Sequence, residues 1–200
     1  GVPGLTWHVP AAAAMSTKLA DPETGETITE AGRVGEMLIK GPAVFSGYYK
    51  RPDLNARAFD PDGYFRTADL FAIDGAAQDR YRFVGRLGEM INRGGTKVSP
   101  EELELLLAQH PKIAEVAVVG VPDPRLGHDD IVVFAAPKPE QSITLAELLE
   151  FLRAQAIAPY KMPRALEVLT KLPRNAVGKV LKRELKRSLL ERRPTPPAPA

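Results

Sequence analysis

The sequence predicts an α+β protein, β-rich up to about Val84 and mixed from about Gly85 onward. Two observations lead there. The first part sets short apolar and aromatic runs between turn formers, and the second interleaves capped amphipathic helix patterns with β-branched runs. At 200 residues and 44% hydrophobic, the chain can bury a core, either as one domain or as two small ones.

In chain order, the first fifteen residues follow no recognisable pattern and are assigned no role. Strands are expected in "GEMLIKG", "FDPDGYFRTADLFAID" and "DRYRFVGRLGEMI", with turns at "DPETGE", "PDG" and "DG". A helix starts at "SPEELELLLAQHP": Ser99 is the N-cap, Pro100 takes the first helical position, and Glu102 completes a capping box. Leu103, Leu106 and Leu107 form its apolar side. The runs "EVAVVGV" and "DIVVFAAP" read as a strand pair joined by "PDPRLGHD". Thr144 and Glu147 make a second capping box for "LAELLEFLRAQA", which ends before Pro159, and "RALEVL" reads as a further strand. A last helix follows Lys179, with Leu181, Leu185 and Leu189 at a spacing of four. Residues 191–200, rich in proline, read as a flexible tail.

Composition narrows the function classes. Against 27 basic residues stand 25 acidic ones, and a net charge of +2 gives no general field for nucleic acid or anionic lipid. The absence of cysteine excludes thiol catalysis and disulfides within this chain. His8, His110 and His128 show no metal-ligand spacing. No apolar run is long enough to span a membrane, and "GVPGLTWHVP" lacks the layout of a signal peptide, so a cytoplasmic location is expected.

Three segments can carry chemistry. In "GYFRTADL", Asp69 ends a strand-like run and can accept hydrogen bonds from a polyol, although a turn aspartate fits equally. In "GRLGEMINRGGTKVSPEELE", Arg86, Arg93 and Lys97 flank Gly94 and Gly95. Paired glycines beside cations let backbone approach an anion, and a hairpin turn with solvated charges explains the same letters. In "LPRNAVGKVLKREL", Lys179 follows Gly178, which can shape a loop that projects the lysine or can merely precede a solvated helix end.

In order and spacing these segments resemble the adenylate-forming superfamily of acyl-CoA synthetases, peptide-synthetase adenylation domains and luciferases. The similarity starts near "DPETGE" and includes "GRVGEMLIKGPAVFSGYYKRPDLNARAFDPDGYFRTADL" and "AEVAVVGVPDPRLG", covering roughly Leu19 to Leu190. The resemblance implies a β-rich barrel segment from the end of a large N-terminal domain (residues 1–84), then a small mobile α+β domain (85–190). It also implies roles. Asp69 accepts from the ribose hydroxyls of ATP, Arg86 lies near the same nucleotide, Lys179 is the adenylation lysine, and Gly88 is the hinge. Gly94, Gly95 and Lys97 form the face for the pantetheine of CoA. The family's phosphate loop and its magnesium-supporting Thr-Glu motif would lie upstream of Gly1. The chain is therefore expected to be the C-terminal part of an acid:CoA ligase, inactive alone, that uses a small carboxylic acid, ATP, Mg2+ and CoA. Two positions depart from the family: Gly88, where many relatives carry Asp or Lys, and Ala68, where glycine is common.

Two alternatives stay open. An aryl-acid enzyme that loads a carrier protein shares these motifs, and the tail after Lys179 holds no carrier-protein serine motif, which favours CoA. In a different class, Lys182, Arg183, Lys186, Arg187, Arg192 and Arg193 could make a basic module for an anion or nucleic acid, although no aromatics are interleaved for base stacking.

Overall fold

The computed structural model describes residues 6–8, 14–74 and 80–192. The chain divides into two compact units, 1–88 and 89–200. Among the described residues, no helix is long and apolar enough to cross a membrane.

The first unit holds one sheet of six strands: β1 (Thr6–His8), β2 (Ser16–Ala20), β3 (Thr27–Ile28), β4 (Val34–Lys40), β5 (Phe65–Ile73) and β6 (Arg80–Arg86). Their order is β1-β6-β5-β4-β2-β3. The expected barrel does not close among the described residues, because β1 and β3 stand at opposite edges and each pairs with a single neighbour. Leu19, Ile28, Met37, Ile73 and Tyr81 form the core on one side of this sheet. A short helix, α1 (Pro52–Ala58), connects β4 to β5 and buries none of its residues.

Two readings of this unit need correction. The run "DRYRFVGRLGEMI" is not one strand: β6 stops at Arg86, residues 87–89 form a turn, and a separate strand opens at Ile91. The boundary placed between Val84 and Gly85 falls inside β6, whose pairing with β5 continues to Asp69 opposite Arg86.

The second unit opens with a hairpin of β7 (Ile91–Arg93) and β8 (Thr96–Val98). Next come α2 (Pro100–Leu107), β9 (Ile113–Asp123), β10 (His128–Pro137), α3 (Leu145–Ala154), a single 3-10 turn at Pro159–Lys161, β11 (Ala165–Val168) and α4 (Lys182–Arg192). The sheet order is β11-β10-β9, with β10 antiparallel to β9 and parallel to β11. Alternation along β10 explains its apolar run. Ile131, Val133 and Ala135 pack with Leu103, Leu107, Leu148 and Leu152, whereas Val132 and Phe134 pack with Leu185 and Leu189 on the other face. A central strand covered on both faces has no polar side to show.

Both predicted caps form, one of them incompletely. Thr144 and Glu147 exchange the two bonds of a full capping box. Ser99 Oγ accepts from the Glu102 N–H, but the Glu102 carboxylate turns away to the Lys161 ammonium at 2.7 Å, so the return bond is missing. Of the leucines that follow Lys179, Leu185 and Leu189 are buried, and Leu181 lies just before the helix. That helix extends through Glu191 and Arg192; the rest of the expected proline-rich tail lies outside the described residues.

Candidate functional site

In the first unit the site is built on an irregular strand pair. Leu38 of β4 faces Arg66 and Glu36 faces Leu70, so Met37 alone stands opposite Thr67, Ala68 and Asp69. Such a bulge re-aims a side chain out of the pleat. Ala68 adopts φ +59°, the left-handed region that side chains other than glycine disfavour. Its N–H donates to Glu36 Oε1 at 3.0 Å, while the other carboxylate oxygen of Glu36 accepts from Arg66 Nη1 at 2.9 Å. Thr67 Oγ1 donates to the Met37 carbonyl at 2.7 Å and accepts from the Asp69 N–H at 3.1 Å.

Asp69 and Arg86, singled out separately in the sequence, are brought together. They are register partners across β5 and β6, and Arg86 Nε donates to Asp69 Oδ1 at 2.8 Å. Both side chains reach solvent, at 27% exposure for Asp69 and 47% for Arg86. A carboxylate that spends one oxygen on a guanidinium still has acceptor capacity for hydroxyl donors. Gly88 lies in the turn beyond β6, outside the left-handed region, and a methyl group there would meet nothing within 4 Å.

In the second unit Gly94 and Gly95 are the two central residues of the β7–β8 turn, at φ +61° and +89°. Two consecutive positive φ values define a turn that glycine pairs favour, because it matches the strand twist. The Gly95 N–H donates to Asn92 Oδ1 at 3.1 Å, and Lys97, on the outgoing strand, is exposed. Arg93 is turned inward, donating from Nη1 to the Asp129 carbonyl at 2.9 Å and from Nε to the Tyr160 carbonyl at 3.2 Å. Of Arg93 and Lys97, the two cations nearest the glycine pair, Lys97 is the exposed one.

Lys179 sits on a braced loop. Gly178 takes φ +83°, and its N–H donates to the Asn175 carbonyl at 2.9 Å. Asn175 then holds Lys179 from both sides: its Oδ1 accepts from the Lys179 N–H at 2.8 Å, and its own N–H donates to the Lys179 carbonyl at 2.9 Å. Arg174 clamps the far side, donating from Nη1 to the Gly178 carbonyl at 2.6 Å and forming a forked contact with Glu115 on β9. The backbone at Lys179 is fixed while its side chain is exposed and makes no ion pair among the described residues.

The basic cluster expected after Lys179 is not a single free face. Lys182 reaches Glu89 and Glu104 at 2.9 Å each, Arg187 pairs with Glu191, and Arg192 pairs with Glu167. Arg193 lies outside the described residues. Burial works against charge on Lys182, yet the surrounding Glu104, Glu89 and Glu101 carboxylates hold its pKa above the ordinary lysine value. Burial also pushes Glu104 above the usual carboxyl range, despite Lys182 and the Val118 N–H that it accepts at 2.6 Å. Among the described residues, no group of three histidines, aspartates or glutamates is placed to hold a metal ion.

The sequence alone did not point to Glu36, Asn175, Arg174 or Glu115. A visible hint existed for Glu36, an acidic residue inside the apolar run "VGEMLI" that is only 3% exposed. The others act across turns or between strands, where linear spacing carries no signal.

Residues 102–179 match the AMP-binding enzyme C-terminal domain. The medium-chain fatty-acid–CoA ligase of Escherichia coli is 36% identical over 182 residues, which cover 91% of this chain and 31% of that protein. The 2,3-dihydroxybenzoate-AMP ligase of Bacillus subtilis is 40% identical over 162 residues, covering 80% of this chain and 29% of that protein. The ATP-bound crystal structure of MatB from Rhodopseudomonas palustris superposes with a TM-score of 0.78 at 33% identity, covering 88% of this chain and 34% of that one. The second unit thus carries the AMP-binding enzyme C-terminal domain over residues 102–179, and the chain's relatives are adenylate-forming ligases. It spans about three tenths of the length of the curated relatives it matches.

Proposed function

We propose that this chain is the C-terminal part of an ATP-dependent carboxylic acid:CoA ligase that works through an acyl-adenylate. The observation that carries the reading is the Lys179 loop: its backbone is pinned at N–H and carbonyl by Asn175, and its ammonium is left exposed. A solvated helix end needs no such bracing.

In the first half-reaction a carboxylate oxygen bonds to the α-phosphorus of ATP, the bond from that phosphorus to the bridging oxygen breaks, and pyrophosphate leaves. Negative charge gathers between two anions, and the Lys179 ammonium contacts both. Asp69 accepts from the ribose hydroxyls, and Arg86, tied to it at 2.8 Å, lies beside the nucleotide. In the second half-reaction a thiol gives up its proton, its sulfur bonds to the acyl carbon, and AMP departs with the oxygen. Gly94 and Gly95 leave a turn without side chains for a pantetheine arm, and Lys97 stands near the phosphates of CoA. Gly88 is the pivot that exchanges the two faces. Magnesium would be held by residues outside this chain.

The similarity to a CoA ligase supports CoA as acceptor, and the similarity to an aryl-acid AMP ligase supports a carrier-protein thiol as the second reading. The test is Lys179→Ala in the full-length enzyme. Acyl-adenylate formation, read as carboxylate-dependent exchange of pyrophosphate into ATP, should fall by about 10² to 10³, the scale of losing a preorganised charge contact. Thioester formation from supplied acyl-adenylate should be nearly spared with CoA. Equal loss of both steps would make Lys179 structural, and transfer to a carrier protein but not to CoA would select the second reading.

A further inference from the structure

We propose that Glu36 is a positioning residue for nucleotide recognition, acting through Ala68 on Asp69; this rests on the reading of Asp69 as the ribose acceptor. Glu36 lies in β4 and is buried at 3% exposure. An ion pair with Arg66 would satisfy a buried carboxylate, but only Oε2 is used that way. The other oxygen, Oε1, accepts the N–H of Ala68 at 3.0 Å, the residue held at φ +59° immediately before Asp69.

The geometry around that bond is directional. At the bulge Met37 faces three residues of β5, so no regular ladder bond can fix the Ala68 amide, and a side-chain acceptor from the neighbouring strand does it instead. The Ala68 carbonyl is held from the other side by the Leu87 N–H at 2.8 Å, just past Arg86. Glu36 and Leu87 thus fix both polar groups of Ala68. With the amide plane set and the Asp69 N–H tied to Thr67 Oγ1, the Asp69 carboxylate is aimed alongside Arg86. A charged acceptor makes a stronger bond to an amide than a neutral one does, which suits a residue held in a disfavoured conformation.

The experiment uses the full-length enzyme and compares kcat/KM for ATP with that for 2′-deoxy-ATP and 3′-deoxy-ATP in Asp69→Ala, Glu36→Gln, Glu36→Asp and the double variant Glu36→Gln/Ala68→Gly. Asp69→Ala should erase most of the discrimination between ATP and the deoxy nucleotides. Glu36→Gln should lower it by about fivefold or more while leaving KM for the acid within about twofold. Ala68→Gly should restore at least half of it, because glycine adopts φ +59° without a clamp. Should Glu36→Gln fail to fold, Glu36→Asp, which keeps the charge but is too short to reach both partners, is expected to show the same loss. If Asp69→Ala abolishes discrimination and a folded Glu36 variant keeps it within twofold of wild type, the positioning role is overturned. The same holds if rates with all nucleotides fall equally. If Asp69→Ala itself keeps full discrimination, the ribose reading fails and the role of Glu36 fails with it.

Discussion

Ala68 concentrates the local tension of the first unit. A left-handed alanine costs about 1 to 2 kcal/mol relative to a relaxed one, and three contacts around it hold that conformation: the Glu36 carboxylate on its N–H, the Leu87 N–H on its carbonyl, and the Thr67 hydroxyl on the next amide. Glycine at this position removes the steric penalty but gains freedom in the unfolded chain, which offsets about half of the benefit. Ala68→Gly should therefore stabilise the protein by about 0.5 to 1 kcal/mol, raising the melting temperature of the first unit by about 2 to 6 °C in calorimetry. A lower melting temperature would show that the Ala68 methyl makes packing contacts worth more than the strain. At Gly178 the same logic runs in reverse: glycine already occupies φ +83°, and no neighbour lies within 4 Å of an added methyl, so freedom of the backbone alone explains its presence.

At the scale of elements, the cluster under α4 makes an unequal prediction. Lys182 is the first residue of that helix, where a cation meets the positive end of the helix dipole. Its position is explained by the carboxylates of Glu89, Glu101 and Glu104 converging on it. Lys182→Met leaves three carboxylates without their shared cation, and with Lys182 at 20% exposure the cost should be about 2 kcal/mol in a urea melt at neutral pH. Glu104→Gln should cost less than half as much, since burial already favours the neutral form and the amide oxygen can keep the Val118 N–H. The deficit of Lys182→Met should narrow as pH falls through the glutamate range, because the orphaned carboxylates then take up protons; a deficit independent of pH would mean that lost packing, not charge, is responsible. Legibility divides along the same line. Helices α2 and α3 and strands β9, β10 and β11 were readable because caps and apolar periodicity are local signals. Helix α1 was missed, since its N-cap is Arg51, whose side chain makes no capping bond, and it buries no residue to create a stripe. The bulge at Thr67–Asp69 was also invisible: it depends on the register of β4 against β5, and no property of "RTADL" reveals how many residues Met37 must face. Asp69, Arg86 and Lys179 stand out in the sequence as motif residues, whereas Glu36 and Glu115 act from distant stretches of chain, and Arg174 and Asn175 act across a turn whose closure linear spacing does not show.

For the whole molecule, the feature with the widest consequence is the passage between the two units at Gly88 and Glu89. Glu89 is anchored at once to the second unit by Lys182 at 2.9 Å, and Leu87 is anchored to the first by the Ala68 carbonyl at 2.8 Å. Gly88 lies between two fixed residues, which is where a rotation would be confined if the units exchange faces as proposed. Nothing in the present conformation requires glycine there: φ is outside the left-handed region and space for a side chain is open. A requirement for glycine must therefore come from a second conformation. Gly88→Pro tests this, because proline fixes φ near −65° and removes one of the two soft torsions at the pivot. In the full-length enzyme, adenylation and thioester formation should be timed separately, with a thermal melt to verify folding. One half-reaction should survive within a few-fold, the other should fall by at least tenfold, and Gly88→Ala should show a milder form of the same imbalance. A folded Gly88→Pro enzyme that runs both steps near the wild-type rate would place the pivot elsewhere, and a proportional loss of both would point to general damage at the junction, not to a blocked rotation.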